Sequence, residues 1–271
     1  MKASLLPSQI QLKKSYLCIG LDPDLEKLPD SVSKSAEGVL EFCLRIIEQT
    51  LPFAVSYKLN TAFFECLGAE GWKVMELIFK HLESRDVFAI ADAKRADIGN
   101  TSSQYAKAFF ENMGADAITL SPYMGSDSIQ PFLEYPDKTA ILLALTSNPG
   151  HQDFEIQPLT NGRRLFEEVL VQSQQWPRKG HLMYVVGATR SDEIAKVRAL
   201  CPDSFLLVPG IGAQGGDLKE ISEKGMNSSV GLLVNASRSI LFASSGSNYA
   251  MAASKAAYDI QQEMERYLRK R

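Results

Sequence analysis

The chain has 271 residues, 45% hydrophobic and 23% charged, with 18 Gly and 12 Pro. This is the profile of a globular protein, long enough for two modest domains or one large α/β barrel. A formal net charge of −3 argues against a nucleic-acid partner and leaves an anionic substrate dependent on a local positive site.

In chain order, short apolar runs of strand character alternate with helical stretches. A strand over 16–22 precedes a helix over 36–49, 53–60 precedes 71–83, 87–94 precedes 101–113, and 117–123 precedes 126–135. In the second half 139–146 precedes 162–175, 183–189 precedes 191–199, 205–210 precedes 216–224, and 230–235 precedes 250–269. The strands are apolar almost throughout, as strands covered on both faces must be. In the second helix Trp72, Met75, Leu77, Ile78 and Phe79 alternate with charge at helical spacing. Ser191 offers a capping serine ahead of Asp192 and Glu193, and Ser126 offers a similar start after Gly125.

Eight strand-then-helix units, with no linker or block of biased composition, predict an α/β fold: a (β/α)8 TIM barrel forming one domain over 1–271. A doubly wound open sheet uses the same local pattern and is the alternative. Polar residues favour the barrel. Asp22, Lys58, Asp92, Lys94, Ser121, Thr146, Thr189 and Asn235 all fall at the C-terminal ends of predicted strands, the mouth where barrel enzymes build their sites. The longest irregular piece, about 147–159, contains Asn148-Pro149-Gly150 and is expected to form a mouth loop.

No apolar segment approaches the roughly 18–20 residues of a membrane span. The opening Met1-Lys2-Ala3-Ser4-Leu5-Leu6-Pro7 lacks the apolar core of a secretion signal, so a cytoplasmic chain with no membrane partner is expected. Cys18, Cys43, Cys66 and Cys201 are far apart and make no C-x-x-C, which predicts free thiols. His81, His151 and His181 show no ligand spacing, and no metal site is expected.

The third strand ends in Asp92-Ala93-Lys94-Arg95-Ala96-Asp97-Ile98-Gly99-Asn100-Thr101. A side-chain period of two puts Asp92 and Lys94 on one face, with Asp97 three residues into the loop. Charges packed at the end of a hydrophobic strand are costly unless they neutralise one another or face a polar site. Lys58 ends the preceding strand, with Asn60 on its face. Neighbouring strands lie about 4.7–4.9 Å apart, so Lys58 can reach Asp92. Late in the chain, Val208-Pro209-Gly210-Ile211-Gly212-Ala213-Gln214-Gly215-Gly216-Asp217 follows the seventh strand, and Asn235-Ala236-Ser237-Arg238 ends the eighth. Glycines let backbone amides approach an anion, and arginine presents a planar fork to phosphate; loops after strands seven and eight are the recurrent phosphate site of such barrels.

The Asp-x-Lys-x-x-Asp-Ile string, continued to Thr101, resembles the signature of the orotidine 5'-monophosphate decarboxylase family, and the two late segments resemble its phosphate grip. The resemblance runs from Asp22 to Arg238. The stretches 24–37 and 148–180 look longer than in compact members, as in the longer bacterial-type subgroup. The family implies conversion of orotidine 5'-monophosphate to UMP and CO2 in de novo pyrimidine biosynthesis, without a cofactor. It implies Lys94 as proton donor to ring C6, Asp92 beside the substrate carboxylate, and Lys58 and Asp97 holding the charged array. Asp22 corresponds to the family's ribose-binding aspartate and Ser147 to the serine that meets the pyrimidine. Gln214 corresponds to the glutamine bridging pyrimidine and phosphate, Gly215 lies in the phosphate loop, and Arg238 is the phosphate arginine. Asn60 joins the expected substrate contacts. Asp97, Ile98 and Thr101 are implied to serve the neighbouring subunit's site in a homodimer. Two other readings fit the motif less well: a magnesium-dependent sugar-phosphate decarboxylase or aldolase of the same suprafamily, and a catalytically silent nucleotide-binding barrel.

Overall fold

The computed structural model describes residues 1–188, 191–211 and 216–270, the Ser191 side chain excepted. Eight parallel strands form a closed barrel in chain order: β1 Leu17–Leu21, β2 Ser56–Asn60, β3 Phe88–Arg95, β4 Ala117–Leu120, β5 Thr139–Leu145, β6 His181–Val186, β7 Leu206–Pro209 and β8 Leu232–Ala236. Closure is made by β1 pairing with β8, with Cys18 opposite Asn235, and this pairing rules out the open sheet. Every residue of β1, β4 and β8 is buried, which is why these segments read as continuous apolar runs.

The helices are α1 Leu6–Lys13, α2 Ala36–Thr50, α3 Ala62–Glu65, α4 Gly68–Glu83, α5 Gly99–Ala106, α6 Ser126–Leu133, α7 Leu165–Ser173, α8 Ser191–Leu200, α9 Leu218–Gly225, α10 Arg238–Leu241 and α11 Tyr249–Leu268. Those that follow the strands turn an apolar stripe to the barrel. In α2 the stripe is Val39, Phe42, Cys43, Ile46 and Ile47, and Ser35 caps the helix by accepting from the Gly38 N–H at 3.2 Å. Three buried tyrosines face this helix layer, and each phenol finds a helical hydroxyl: Tyr16 with Ser222 at 2.5 Å, Tyr57 with Thr50 at 2.8 Å and Tyr184 with Ser173 at 2.8 Å. A buried phenol left unpaired would be costly, so these pairs help fix how helix and strand dock.

Several local expectations change. Gly125, with φ of +92°, holds the cap position of α6, and Ser126 is the first helical residue rather than the cap. The helix expected from Gly162 begins at Leu165, because Gly162 turns with φ of +82° and Pro158 and Arg164 pair as an isolated bridge. The single helix expected over 101–113 is α5 followed by a π-helical turn, Lys107–Asn112, that buries Phe109 and Phe110. α1, α3 and α10 lie outside the eight expected units; two of them are single turns, too short to carry a periodic signal. Cys18, Cys43, Cys66 and Cys201 are free thiols. Among the described residues no helix is long and apolar enough to cross a membrane.

Candidate active site

The barrel register puts β2 and β3 side by side with Asn60 opposite Asp92. From these strand ends Lys58 Nζ donates to Asp92 Oδ2 at 2.8 Å, and Lys94 Nζ donates to Asp92 Oδ1 at 2.6 Å. On the other side of Lys58, Asp22 Oδ1 lies 3.8 Å from its Nζ. The charges therefore alternate along one line, Asp22, Lys58, Asp92, Lys94. Burial alone would raise the Asp92 carboxyl, but the Lys58 and Lys94 ammonium groups outweigh it and hold it well below the usual carboxylate range. Burial alone would lower Lys58, and here Asp92 and Asp22 outweigh it and hold its pKa above the ordinary lysine value. Asp92 and Lys58 thus hold each other charged. Lys94 differs in one respect: its side chain is 49% exposed, against 6% for Lys58 and 10% for Asp92. It is the most exposed member of the line, ahead of Asp22 at 18%, and so the one most open to a ligand in the mouth.

Lys94 meets Asp92 as the spacing predicts, but not through a regular strand. Its φ is +49°, and the β3–β4 register shifts between Ala91 and Arg95. A non-glycine residue in the left-handed region costs about 1–2 kcal/mol and persists only where neighbours enforce it. One such neighbour is Thr119 on β4. Its hydroxyl accepts from the Lys94 N–H at 3.0 Å and donates to Asp92 Oδ1 at 2.9 Å. Thr119 is fully buried and escaped the sequence reading, which looked two residues further on, at Ser121. A lone polar residue inside the apolar run Ala117-Ile118-Thr119-Leu120 was the available signal.

Asp22, just past β1, accepts from Ser237 Oγ at 2.5 Å. Ser237 was also not singled out; it precedes Arg238, so the hydrogen bond joins the first strand end to the segment carrying the arginine. Arg238 opens α10, is exposed, and pairs with no other described residue. Ser147 follows β5 and is half-buried. Asn60 Oδ1 accepts from the Ala62 N–H at 3.3 Å and so shapes the turn into α3.

The remaining candidates fall elsewhere. Asp97 Oδ1 accepts from the N–H of Ile98 at 2.8 Å and makes no ion pair with Lys58 or Lys94 in this chain. Ile98 is 55% exposed and Thr101 is exposed beside it. Gln214, Gly215 and Thr189 lie outside the described residues, as does the Ser191 side chain expected to cap α8. The feet of the glycine loop are described: Gly216 donates its N–H to Gly210 O at 3.2 Å. A Cβ on Gly216 would lie 2.5 Å from Ala188 Cβ, which explains glycine there. Among the described residues no group of three or more His, Cys, Asp or Glu is placed to hold a metal ion.

The chain matches the model of the orotidine 5'-phosphate decarboxylase / HUMPS family over residues 15–253. It is 51% identical over 261 residues to the orotidine 5'-phosphate decarboxylase of Flavobacterium johnsoniae, covering 96% of this chain and 95% of that one. It is 48% identical to the Phocaeicola vulgatus protein of the same name, covering 96% of each. Among solved structures, the Leishmania donovani OMP decarboxylase superposes with a TM-score of 0.83 at 37% identity, covering 98% of this chain and 99% of that one.

Proposed function

The chain belongs to the orotidine 5'-phosphate decarboxylase / HUMPS family, and on that premise we propose that it is a carboxy-lyase converting orotidine 5'-monophosphate to UMP and CO2, a step of de novo pyrimidine biosynthesis, as a cytoplasmic homodimer. The observation that carries this reading is the half-exposed Lys94 ammonium held on a carboxylate that Lys58 and Thr119 lock in place.

In the proposed reaction the bond between ring C6 and the carboxylate breaks, CO2 departs, and the electron pair remains on C6. Lys94 Nζ delivers a proton to that carbon, and its charge favours the developing carbanion before transfer is complete. Asp92 keeps the ammonium aimed and lies beside the substrate carboxylate in this reading. Asp22 takes a ribose hydroxyl, Asn60 and Ser147 contribute to the nucleoside contacts, and Arg238 with Gln214 and Gly215 takes the phosphate. Binding energy from the phosphate, remote from C6, goes into aligning the ring. Asp97, Ile98 and Thr101 reach the partner's site; their exposure and the lack of an Asp97–Lys94 pair within one chain support that assignment.

Loss of orotidine 5'-monophosphate absorbance, followed before and after exhaustive EDTA dialysis, tests the reading. Metal-independent turnover is the expected result. Dependence on added magnesium would move the chain to the sugar-phosphate branch of the family, and an absence of turnover under both conditions would mark it as a silent barrel.

A further inference from the structure

β5 stops at Leu145, and the next residue, Thr146, carries the first N–H beyond the strand. Glu155 comes back to meet it. Thr146 donates its N–H to Glu155 Oε2 at 2.7 Å, and its hydroxyl proton is shared between Glu155 Oε1 at 2.8 Å and Asn148 Oδ1 at 2.5 Å, so both carboxylate oxygens face one residue. Hydrogen bonds to an ionised acceptor are shorter and about twice as strong as neutral ones. The backbone of Glu155 is tied as well. Its N–H donates to His151 O at 2.9 Å, and its carbonyl accepts from Phe166 N, in the first turn of α7, at 2.9 Å. His151 in turn is fastened to the Asn148 carbonyl, through its own N–H at 3.2 Å and through ring Nδ1 at 2.8 Å.

Ser147 therefore sits between two residues that the following loop holds in place, Thr146 by Glu155 and Asn148 by His151. Its third side is closed by the end of β6, where a Cβ on Gly187 would lie 2.8 Å from Ser147 N. Glu155 is the point at which the strand end, the loop and α7 are joined.

We propose that Glu155 is a positioning residue for base recognition: by pinning Thr146 it sets the Ser147 hydroxyl where the pyrimidine ring is read, without touching the ligand. This role rests on the pyrimidine-nucleotide reading above. It predicts a defect confined to the base, because ribose and phosphate contacts come from other strand ends.

The test compares UMP with ribose 5-phosphate, which lacks the base, by calorimetry on wild type, Glu155→Ala and Glu155→Gln, alongside turnover kinetics. Glu155→Ala is expected to weaken UMP binding and raise KM about tenfold, the scale of one lost charge-assisted hydrogen bond, with kcat changing by less than about threefold. Ribose 5-phosphate binding should stay within about twofold, which also reports that the variant is folded. Glu155→Gln keeps a carbonyl oxygen to accept the Thr146 N–H and should recover most of the lost affinity. Equal weakening of both ligands by Glu155→Ala, or no weakening of either, overturns the proposal. A wild-type protein that binds UMP no more tightly than ribose 5-phosphate would instead overturn the functional reading beneath it.

Discussion

Thr119 and Asp92 share a hydrogen bond of 2.9 Å across the β3–β4 seam, and the same threonine oxygen accepts the N–H of Lys94 at 3.0 Å. One hydroxyl thus fixes both the carboxylate and the backbone of the residue proposed to deliver the proton. Thr119→Val keeps the shape and removes both bonds, leaving the Lys94 N–H and one Asp92 lone pair unmatched in a buried place. A buried group stripped of its partner costs about 1–3 kcal/mol, so kcat should fall at least about tenfold while UMP affinity changes little. Thr119→Ser should retain most activity. An unchanged kcat in Thr119→Val would show that Lys94 is placed without this hydroxyl.

Lys94→Ala should abolish turnover while leaving product binding largely intact, because it removes the proposed proton donor and not the phosphate grip. Retention of more than about a tenth of the wild-type kcat, a barrier change of only ~1.4 kcal/mol, would exclude Lys94 from that role.

The Lys58–Asp92 pair predicts how stability depends on pH. The Asp92 carboxyl is held below its unfolded value of about 3.9; its contribution is present above that pH and is lost as the pH falls through the lower folded value. The Lys58 ammonium is held above its unfolded value of about 10.4, so its contribution is present below that pH and is lost as the pH rises through the folded value. Between these limits Lys58→Met should destabilise the fold by about 3–5 kcal/mol, the usual effect of stripping one partner from a buried ion pair. It should also move the acid unfolding midpoint upward, since only Lys94 and Thr119 would then support the carboxylate. Urea titrations at a series of pH values report both effects; an unmoved acid midpoint would mean that Lys58 does not hold Asp92 ionised.

Arg238→Ala should act through the phosphate. The guanidinium is exposed at the start of α10 and pairs with no other described residue, so removing it deletes a charge-assisted fork without breaking an internal contact. UMP should bind at least about tenfold more weakly, with little change for uridine. An equal loss for both ligands would point to a structural role.

The proposed sharing of sites across a dimer can be tested by complementation. Asp97→Ala and Lys94→Ala proteins should each be nearly inactive alone. In a mixed dimer one site carries both lesions and the other carries none. With random exchange, activity should return to about a quarter of wild type, since half the dimers are mixed and half of their sites are intact. If mass spectrometry shows exchange and no activity returns, Asp97 works within its own chain.

Much of this site was legible from local pattern alone. Alternating apolar strands and amphipathic helices are short-range signals, and in a parallel barrel consecutive strands are also spatial neighbours, so Lys58 beside Asp92 followed from chain order. The Asp-x-Lys spacing likewise brought Lys94 onto Asp92. Contacts between distant parts of the chain have no local signature, and these the tertiary structure decided. Closure through β1 and β8 brings Ser237 to Asp22 across 215 residues and sets Asp22 at the Lys58 end of the charge line. Thr119 took its place because the β3–β4 register slips where Lys94 turns left-handed, an adjustment that depends on the facing strand. Glu155 gripping Thr146 required the fold of the intervening loop. Periodicity reports which face of an element is buried; only packing decides which polar atoms meet there.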